Sequence, residues 1–177
     1  MPEVGTAHTA DLDAASLEAA RALLDRVFEG DMSDHDWEHA LGGVHALVWE
    51  GSEVIGHASV VQRRLLHGGR ALRAGYIEGV GVREDRRRRG HGTAMMAALE
   101  RVLAGAYELG ALSATDEAAR FYAARGWELS QWPASALTPA GIVRTEEEEG
   151  AIYVLPGAIA LDLSGELSCD WREGDVW

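Results

Sequence analysis

The residues with chemistry to offer gather in one stretch, Tyr76-Ile77-Glu78-Gly79-Val80-Gly81-Val82 followed by Arg83-Glu84-Asp85-Arg86-Arg87-Arg88-Arg89-Gly90-His91-Gly92. The first half has the aromatic and β-branched residues of a strand. Glycine weakens a strand interior, so Gly79 and Gly81 indicate a bulge or a close backbone approach by another group. The second half is a basic, glycine-containing turn, and a helical pattern starts at Thr93. A turn of that kind gathers unpaired backbone N–H groups at the positive end of a helix dipole. That chemistry binds an anion, most simply phosphate.

Spacing narrows the anion. No G-x-x-x-x-G-K-[ST] is present, which excludes a P-loop, and Gly79-Val80-Gly81 lacks the third glycine of a dinucleotide fingerprint. What stands here is Arg87-Arg88-Arg89-Gly90-His91-Gly92, an [RQ]-x-x-G-x-[GA] arrangement after a strand ending at Val82. It resembles the acyl-CoA loop of the GCN5-related N-acetyltransferases (GNAT). The resemblance implies that amides and side chains from Arg87, Arg88, Arg89, Gly90, His91 and Gly92 hold the pyrophosphate of acetyl-CoA. It also implies that Val80, Gly81 and Val82 bind the pantetheine arm. A second element of the same family, A-x-x-F-Y-x-x-x-G-[FW], stands at Ala118 to Trp127. By that match Tyr122 sits beside the acyl-CoA sulfur. The competing reading of the basic turn is a surface loop whose arginines serve solubility.

The elements that must position these residues follow from periodicity. A short strand is expected around Ala7–Thr9, then a helix capped by Asp11 or Asp13, with Leu17, Arg21, Leu24 and Phe28 at helical spacing through Glu29. Ser33 is an N-cap for a short helix reaching Leu41. A meander follows: Val44–Trp49, the turn Gly51-Ser52, Val54–Leu66, the turn His67-Gly68-Gly69, and Ala71–Val82. The helix Thr93–Leu109 shows a core stripe of Met95, Leu99, Val102 and Ala106. A buried strand at Gly110–Ser113 precedes a capped helix ended by Gly126 and then a strand. Residues 128–150 read as loop, Glu146–Glu149 as a solvated acidic run, and strands are expected at Ala151–Leu155 and Leu161–Leu167. There is no repeat, linker or internal boundary. The expected fold is α/β (α+β): one GNAT domain over 1–177, with a mixed, mostly antiparallel central sheet, flanking helices and a bulged central strand.

Acyl transfer to an amine needs three events. The amine loses a proton, the carbonyl oxygen is polarised, and the leaving thiolate gains a proton. Tyr122, as the resemblance places it, donates to the sulfur; a phenol pKa near ~10 keeps it protonated at neutral pH. A backbone N–H near Val80 meets the carbonyl oxygen. Glu78 shares a face with Val80 if strand alternation survives the bulge, and it is a candidate base or amine anchor acting through water.

A narrower resemblance covers nearly the whole chain, to the aminoglycoside 2′-N-acetyltransferases. It runs through Asp36-Trp37-Glu38-His39, Leu41-Gly42-Gly43, Gln62-Arg63-Arg64, Gly75 to Val80, Gly105 to Ser113 and Tyr122 to Trp127. It ends at Cys169-Asp170-Trp171-Arg172 and Gly174-Asp175-Val176-Trp177. The resemblance implies that Asp31, Asp36, Glu78, Gly79, Ser113, Asp175 and the Trp177 carboxylate surround the antibiotic. Glu78 or that carboxylate would serve as the base, and Glu148 is chosen from the acidic run. Aminoglycosides are polycations, and buried ammonium groups need carboxylate partners. The family also implies a homodimer.

Composition agrees. The chain has 177 residues, 47% of them hydrophobic and 25% charged, enough for a sizeable core. A net charge of −13 opposes nucleic acid as a partner. No apolar run approaches the ~20 residues of a membrane span and no signal segment opens the chain. The single cysteine, Cys169, reads as structural and fits a reducing cytoplasm. No metal site is expected. The alternatives to an antibiotic substrate are a polyamine, cell-wall or protein amine on the same fold, or a non-catalytic acyl-CoA sensor.

Overall fold

The computed structural model describes residues 3–157, 161–162 and 165–177. In chain order the elements are β1 (Glu3–His8), α1 (Ala14–Val27), α2 (Asp34–His39), β2 (Val44–Glu50), β3 (Glu53–His67), β4 (Arg70–Val82) and α3 (His91–Ala106). They continue with β5 (Leu109–Ser113), α4 (Ala119–Ala123), β6 (Glu128–Leu129), β7 (Ala134–Thr138), β8 (Gly141–Arg144), β9 (Ile152–Pro156) and β10 (Leu167–Cys169). Strand pairing is mostly antiparallel; β4 with β5 and β10 with β7 are the parallel pairs given by the register. This is the mixed α/β sheet expected. The chain forms two compact units, and both draw on the long strands β3 and β4.

The first unit takes the chain up to Val61 together with Ile77–Val102. β1, β2 and the start of β3 form an antiparallel meander, with Glu3 opposite Trp49 and Glu50 opposite Glu53. That register leaves Gly51-Ser52 as the two-residue turn, and Gly51 has φ 64. α1 starts where Asp13 Oδ1 accepts the Ser16 N–H at 2.8 Å. It stops at Val27 because Glu29 and Gly30 both take positive φ, 54 and 82, and no helix continues through that conformation. Its inner face carries Ala20, Leu23 and Leu24. Ala20 and Leu23 pack with Leu47 and Val54. Truncating a leucine so enclosed costs about 2–5 kcal/mol, so α1 is fixed by burial more than by propensity.

α3 begins two residues before the expected Thr93 and ends before Leu109, which is the first residue of β5. Its buried residues are Met95, Met96, Ala98 and Leu99, with Leu103 beyond, whereas Ala106 is exposed. The 3.6-residue period located the stripe but carried it one position too far, since Ala106, the last residue of α3, is exposed.

The second unit takes Gln62–Tyr76 and the chain from Leu103 onward. β5 lies parallel to the first half of β4, Tyr76 opposite Ala111, and antiparallel to β9, Ala111 opposite Val154. β6 pairs with β9, and β10 joins the second half of β3 to β7. Gly110 leaves no room for a side chain: a Cβ there would lie 2.8 Å from Leu103 Cδ1 and 3.0 Å from the Trp127 ring.

Three sequence expectations change here. The stretch 128–150 is not all loop, because β7 and β8 form a hairpin through Thr138-Pro139-Ala140-Gly141. Proline and glycine around a short turn were the available signal. The helix bearing Tyr122 is shorter than expected: a 3-10 turn at Asp116–Ala118 leads into α4, and Thr115 gives no side-chain cap. Finally, Leu161 and Asp162 are not in a strand, Leu163 and Ser164 lie outside the described residues, and β10 starts only at Leu167.

Candidate active site

In the first unit, the end of β4 departs from regular strand geometry at Gly79, with φ 56. The bulge is enclosed on one side by α1. A Cβ on Gly79 would lie 3.1 Å from Leu24 Cδ1, and one on Gly81 would meet Leu24 Cδ2 at 3.0 Å and Val27 Cγ1 at 3.1 Å. The glycines therefore answer both expectations, a bulge and a close approach, and the approaching group is α1. His57 Nδ1 donates to the Gly79 carbonyl at 2.7 Å. Glu78, Gly79 and Val80 remain partly exposed.

The basic turn divides by function. Arg86 forks onto Glu50, Nη2 to Oε2 at 2.7 Å, and also pairs with Asp85. Arg83 pairs with Glu53 and Asp85, each at 2.7 Å. Those two guanidiniums hold Glu50 and Asp85 below the usual carboxylate range, and they brace the turn. Arg87, Arg88 and Arg89 are exposed instead. Arg88 and Gly90 take left-handed φ of 61 and 84, which turns the chain into α3. The first intrahelical bond there runs from Ala94 N to Gly90 O at 2.9 Å. The N–H groups of His91, Gly92 and Thr93 thus precede the helix's own ladder. Guanidiniums and first-turn amides donate and do not accept, a donor set that suits a pyrophosphate.

In the second unit, Tyr122 is 5% exposed and edge-on to Phe121 and Trp127, at 5.1 and 6.0 Å between centroids. Burial pushes its hydroxyl up to about 12, so it holds its proton throughout the neutral range. Ser113 at the end of β5 donates to Glu148 Oε2 at 3.4 Å. Burial, then Asp175 and Glu147, push the Glu148 carboxyl up. The last residues are tied down: Trp177 Nε1 donates to Thr145 Oγ1 at 2.9 Å, Trp177 N to Asp175 Oδ1 at 3.3 Å, and Arg172 Nε to Asp175 O at 2.8 Å. Cys169 is buried, donates to Val176 O at 3.2 Å, and has its thiol pushed up to about 11 by burial. A thiol so held is packing, not a nucleophile.

The expected substrate residues thus separate into groups. Ser113, Glu148 and Asp175 come together electrostatically in the second unit, with Trp177 hydrogen-bonded to Asp175. In the first unit Asp31 is exposed, and Asp36 caps α2, accepting from Ser33 N and Oγ at 2.8 Å. Two pairings were not legible in the sequence. One is the buried pair His45 and His57, 2.9 Å apart. The other is the Arg63–Asp170 pair at 2.8 Å, with Arg63 4% exposed and set 4.8 Å from the Tyr76 ring centre. Among the described residues no three His, Cys, Asp or Glu side chains group as a metal site.

A bulged strand, a basic turn and a helix N-terminus in that order define a class, and the family comparison agrees. Residues 9–130 match the family model described as an acetyltransferase (GNAT) domain. The chain belongs to the GNAT acetyltransferase family. An aminoglycoside 2′-N-acetyltransferase from Mycolicibacterium fortuitum is 53% identical over 174 residues, covering 96% of this chain and 89% of that one. Among solved structures, the GNAT family N-acetyltransferase YhbS from Escherichia coli, in complex with CoA, superposes with a TM-score of 0.65. It is 16% identical and covers 97% of this chain and 90% of that chain. Eis1 from Mycobacterium abscessus gives a TM-score of 0.62 at 21% identity, over 76% of this chain and 33% of that chain, so this chain spans about a third of its length. Among the described residues no helix is long and apolar enough to cross a membrane.

Proposed function

We propose that this protein is an aminoglycoside 2′-N-acetyltransferase that moves the acetyl group of acetyl-CoA to the antibiotic's 2′-amine by direct attack, conferring resistance. The observation that carries the reading is the 53% identity, over 96% of the chain, to the mycobacterial enzyme named for that reaction. Acetyl-CoA supplies the activated thioester. Arg87, Arg88, Arg89 and the amides of Gly90, His91 and Gly92 bind its pyrophosphate, and Val80, Gly81 and Val82 bind its pantetheine arm. The Val80 N–H receives the carbonyl oxygen as it gains charge. Tyr122, protonated at every neutral pH, gives its proton to the departing sulfur.

Asp31, Asp36, Glu78, Ser113, Glu148, Asp175 and Trp177 recognise the amino sugar, with Gly79 alongside. Glu78 or the Trp177 carboxylate removes the amine proton through water. A lone buried cysteine and the use of acetyl-CoA fit a cytoplasmic enzyme. The exposed Leu137, Ile142 and Val143 of the β7–β8 hairpin offer an apolar surface for a homodimer, which light scattering tests.

A thiol-release assay with acetyl-CoA decides the substrate. Fast turnover of an aminoglycoside with a 2′-amine, and little of one with a 2′-hydroxyl, is the expected result. Tight acetyl-CoA binding with no turnover of either would move the substrate to a cellular amine or leave a sensor.

A further inference from the structure

Two histidines that the proposed chemistry does not use are fully buried in the first unit, His45 on β2 and His57 on β3, both 0% exposed. They form a continuous hydrogen-bonded line. Thr9 Oγ1 lies 2.8 Å from His45 Nε2, His45 Nδ1 lies 2.9 Å from His57 Nε2, and His57 Nδ1 lies 2.7 Å from the Gly79 carbonyl oxygen.

Elimination fixes every proton. A carbonyl only accepts, so His57 Nδ1 carries the hydrogen. Neutral imidazole has one N–H, so His57 Nε2 accepts and His45 Nδ1 must donate to it. His45 Nε2 then accepts from the Thr9 hydroxyl at 2.8 Å, the shorter of that hydroxyl's two contacts, the other being the Gly43 carbonyl at 3.3 Å; the Thr9 oxygen in turn takes the Gly42 N–H at 2.9 Å. Neutrality is secured by burial, which holds both imidazoles down to about 4. The line therefore points one way, from Thr9 toward Gly79.

Its end point gives it meaning. The Gly79 carbonyl and the Val80 N–H belong to one peptide unit, and no peptide bond in the described chain is cis. In a trans peptide the C=O and N–H point in opposite directions. Gripping the oxygen thus aims the hydrogen. It also polarises the peptide, because a donor on the oxygen strengthens the N–H as a donor. Gly79 stands at φ 56, outside regular strand geometry, and its carbonyl takes a donor from the His57 side chain.

We propose that His57, set by His45 and Thr9, is the positioning residue that orients and polarises the Gly79–Val80 peptide for the oxyanion contact made by the Val80 N–H. The inference rests on the role given above to that N–H. His57 touches neither substrate nor reacting atoms. Its effect falls on kcat, with KM left nearly unchanged, since the contact matters only once charge develops.

The test compares His57→Asn, His57→Gln and His57→Leu with the parent enzyme in acetyl transfer to a 2′-amino aminoglycoside, and measures CoA binding by calorimetry. Asparagine places its N–H where Nδ1 stood; glutamine reaches the Nε2 position and leaves Gly79 without a donor. The leucine and glutamine variants should lose between about 10- and 100-fold in kcat while CoA affinity and both KM values stay within about threefold. Asparagine should restore most of the loss. Equal activity of the asparagine and glutamine variants, or a folded leucine variant with parental kcat, overturns the proposal.

Nitrogen-15 spectra of the parent protein at pH 7 give a reading independent of turnover. Both histidines should appear as Nδ1–H tautomers, with the His57 Nδ1–H resonance moving in a His45→Gln variant. An Nε2–H or doubly protonated His57 overturns the relay. Failure of the substrate reading would show separately, as an inactive parent enzyme in the same assay.

Discussion

Ser113 and Glu148 come from segments 35 residues apart and meet through one hydrogen bond of 3.4 Å, Ser113 Oγ to Glu148 Oε2. Glu148 is partly buried and is the glutamate of the Glu146–Glu149 run whose carboxyl is pushed up, by burial first and then by Asp175 and Glu147, with the Ser113 hydrogen bond opposing them. Glu149 by contrast pairs with Arg144 at 2.8 Å and is held down. A raised folded value means that the native state binds its proton more readily than the unfolded chain does. Glu148 therefore destabilises the fold as pH rises through that value, and the effect is fully present at neutral pH. Glu148→Gln should raise the urea midpoint at pH 7.5 and have no effect on it near pH 4. The same change should raise the aminoglycoside KM by about tenfold. A variant that is stabler and binds the antibiotic as well as the parent would remove Glu148 from recognition.

Tyr122→Phe keeps the ring that packs on Phe121 and Trp127 and deletes only the hydroxyl. With a value near 12, Tyr122 gives no limb to the rate profile between pH 6 and 9. The expected result is a fall in kcat of about 100-fold or more, with CoA affinity within about threefold of the parent. Retention of full kcat across that range would end the acid role.

The basic turn predicts a contrast between neighbours. Arg86→Ala removes the fork onto Glu50, which braces the turn, and should lower the urea midpoint slightly with little change in acetyl-CoA KM. Arg87→Ala and Arg88→Ala should leave the midpoint alone, raise that KM several-fold, and flatten its dependence on salt. The salt series separates a phosphate-binding arginine from one that supports the loop.

Acid should destabilise this protein through the histidine pair. Burial lowers His45 and His57 from their ordinary 6.5 to about 4. As pH falls through 6.5 the unfolded chain takes up these protons first, so stability is complete above that point and declines down to about 4. Below that the folded state is protonated as well, and these groups add no further slope. His57 alone contributes a slope of up to about 1.4 kcal/mol per pH unit in the window. Urea titrations at half-unit steps should show that slope, and it should shrink in His57→Asn.

Much of this molecule was written locally. The meander of β2, β3 and β4 could be read from two-residue glycine turns, because Gly51 and Gly68-Gly69 supply the positive φ that such turns demand. The basic turn at the mouth of α3 was legible for the same reason, since Gly90 and the residues around it act within a few positions of one another. Ser33 as a cap and Gly126 as a stop are equally local. What tertiary structure alone decided is everything that depends on partners distant in sequence. Arg86 could not be separated from Arg87 without Glu50, 36 residues away. Glu148 could not be told from its neighbours without Ser113. The glycines of β4 implied crowding, but only the placement of α1 showed that Leu24 and Val27 cause it. His45 and His57 look like any polar residues in an apolar strand, and their role exists only because two strands and a bulge bring a hydroxyl, two imidazoles and a carbonyl into one line.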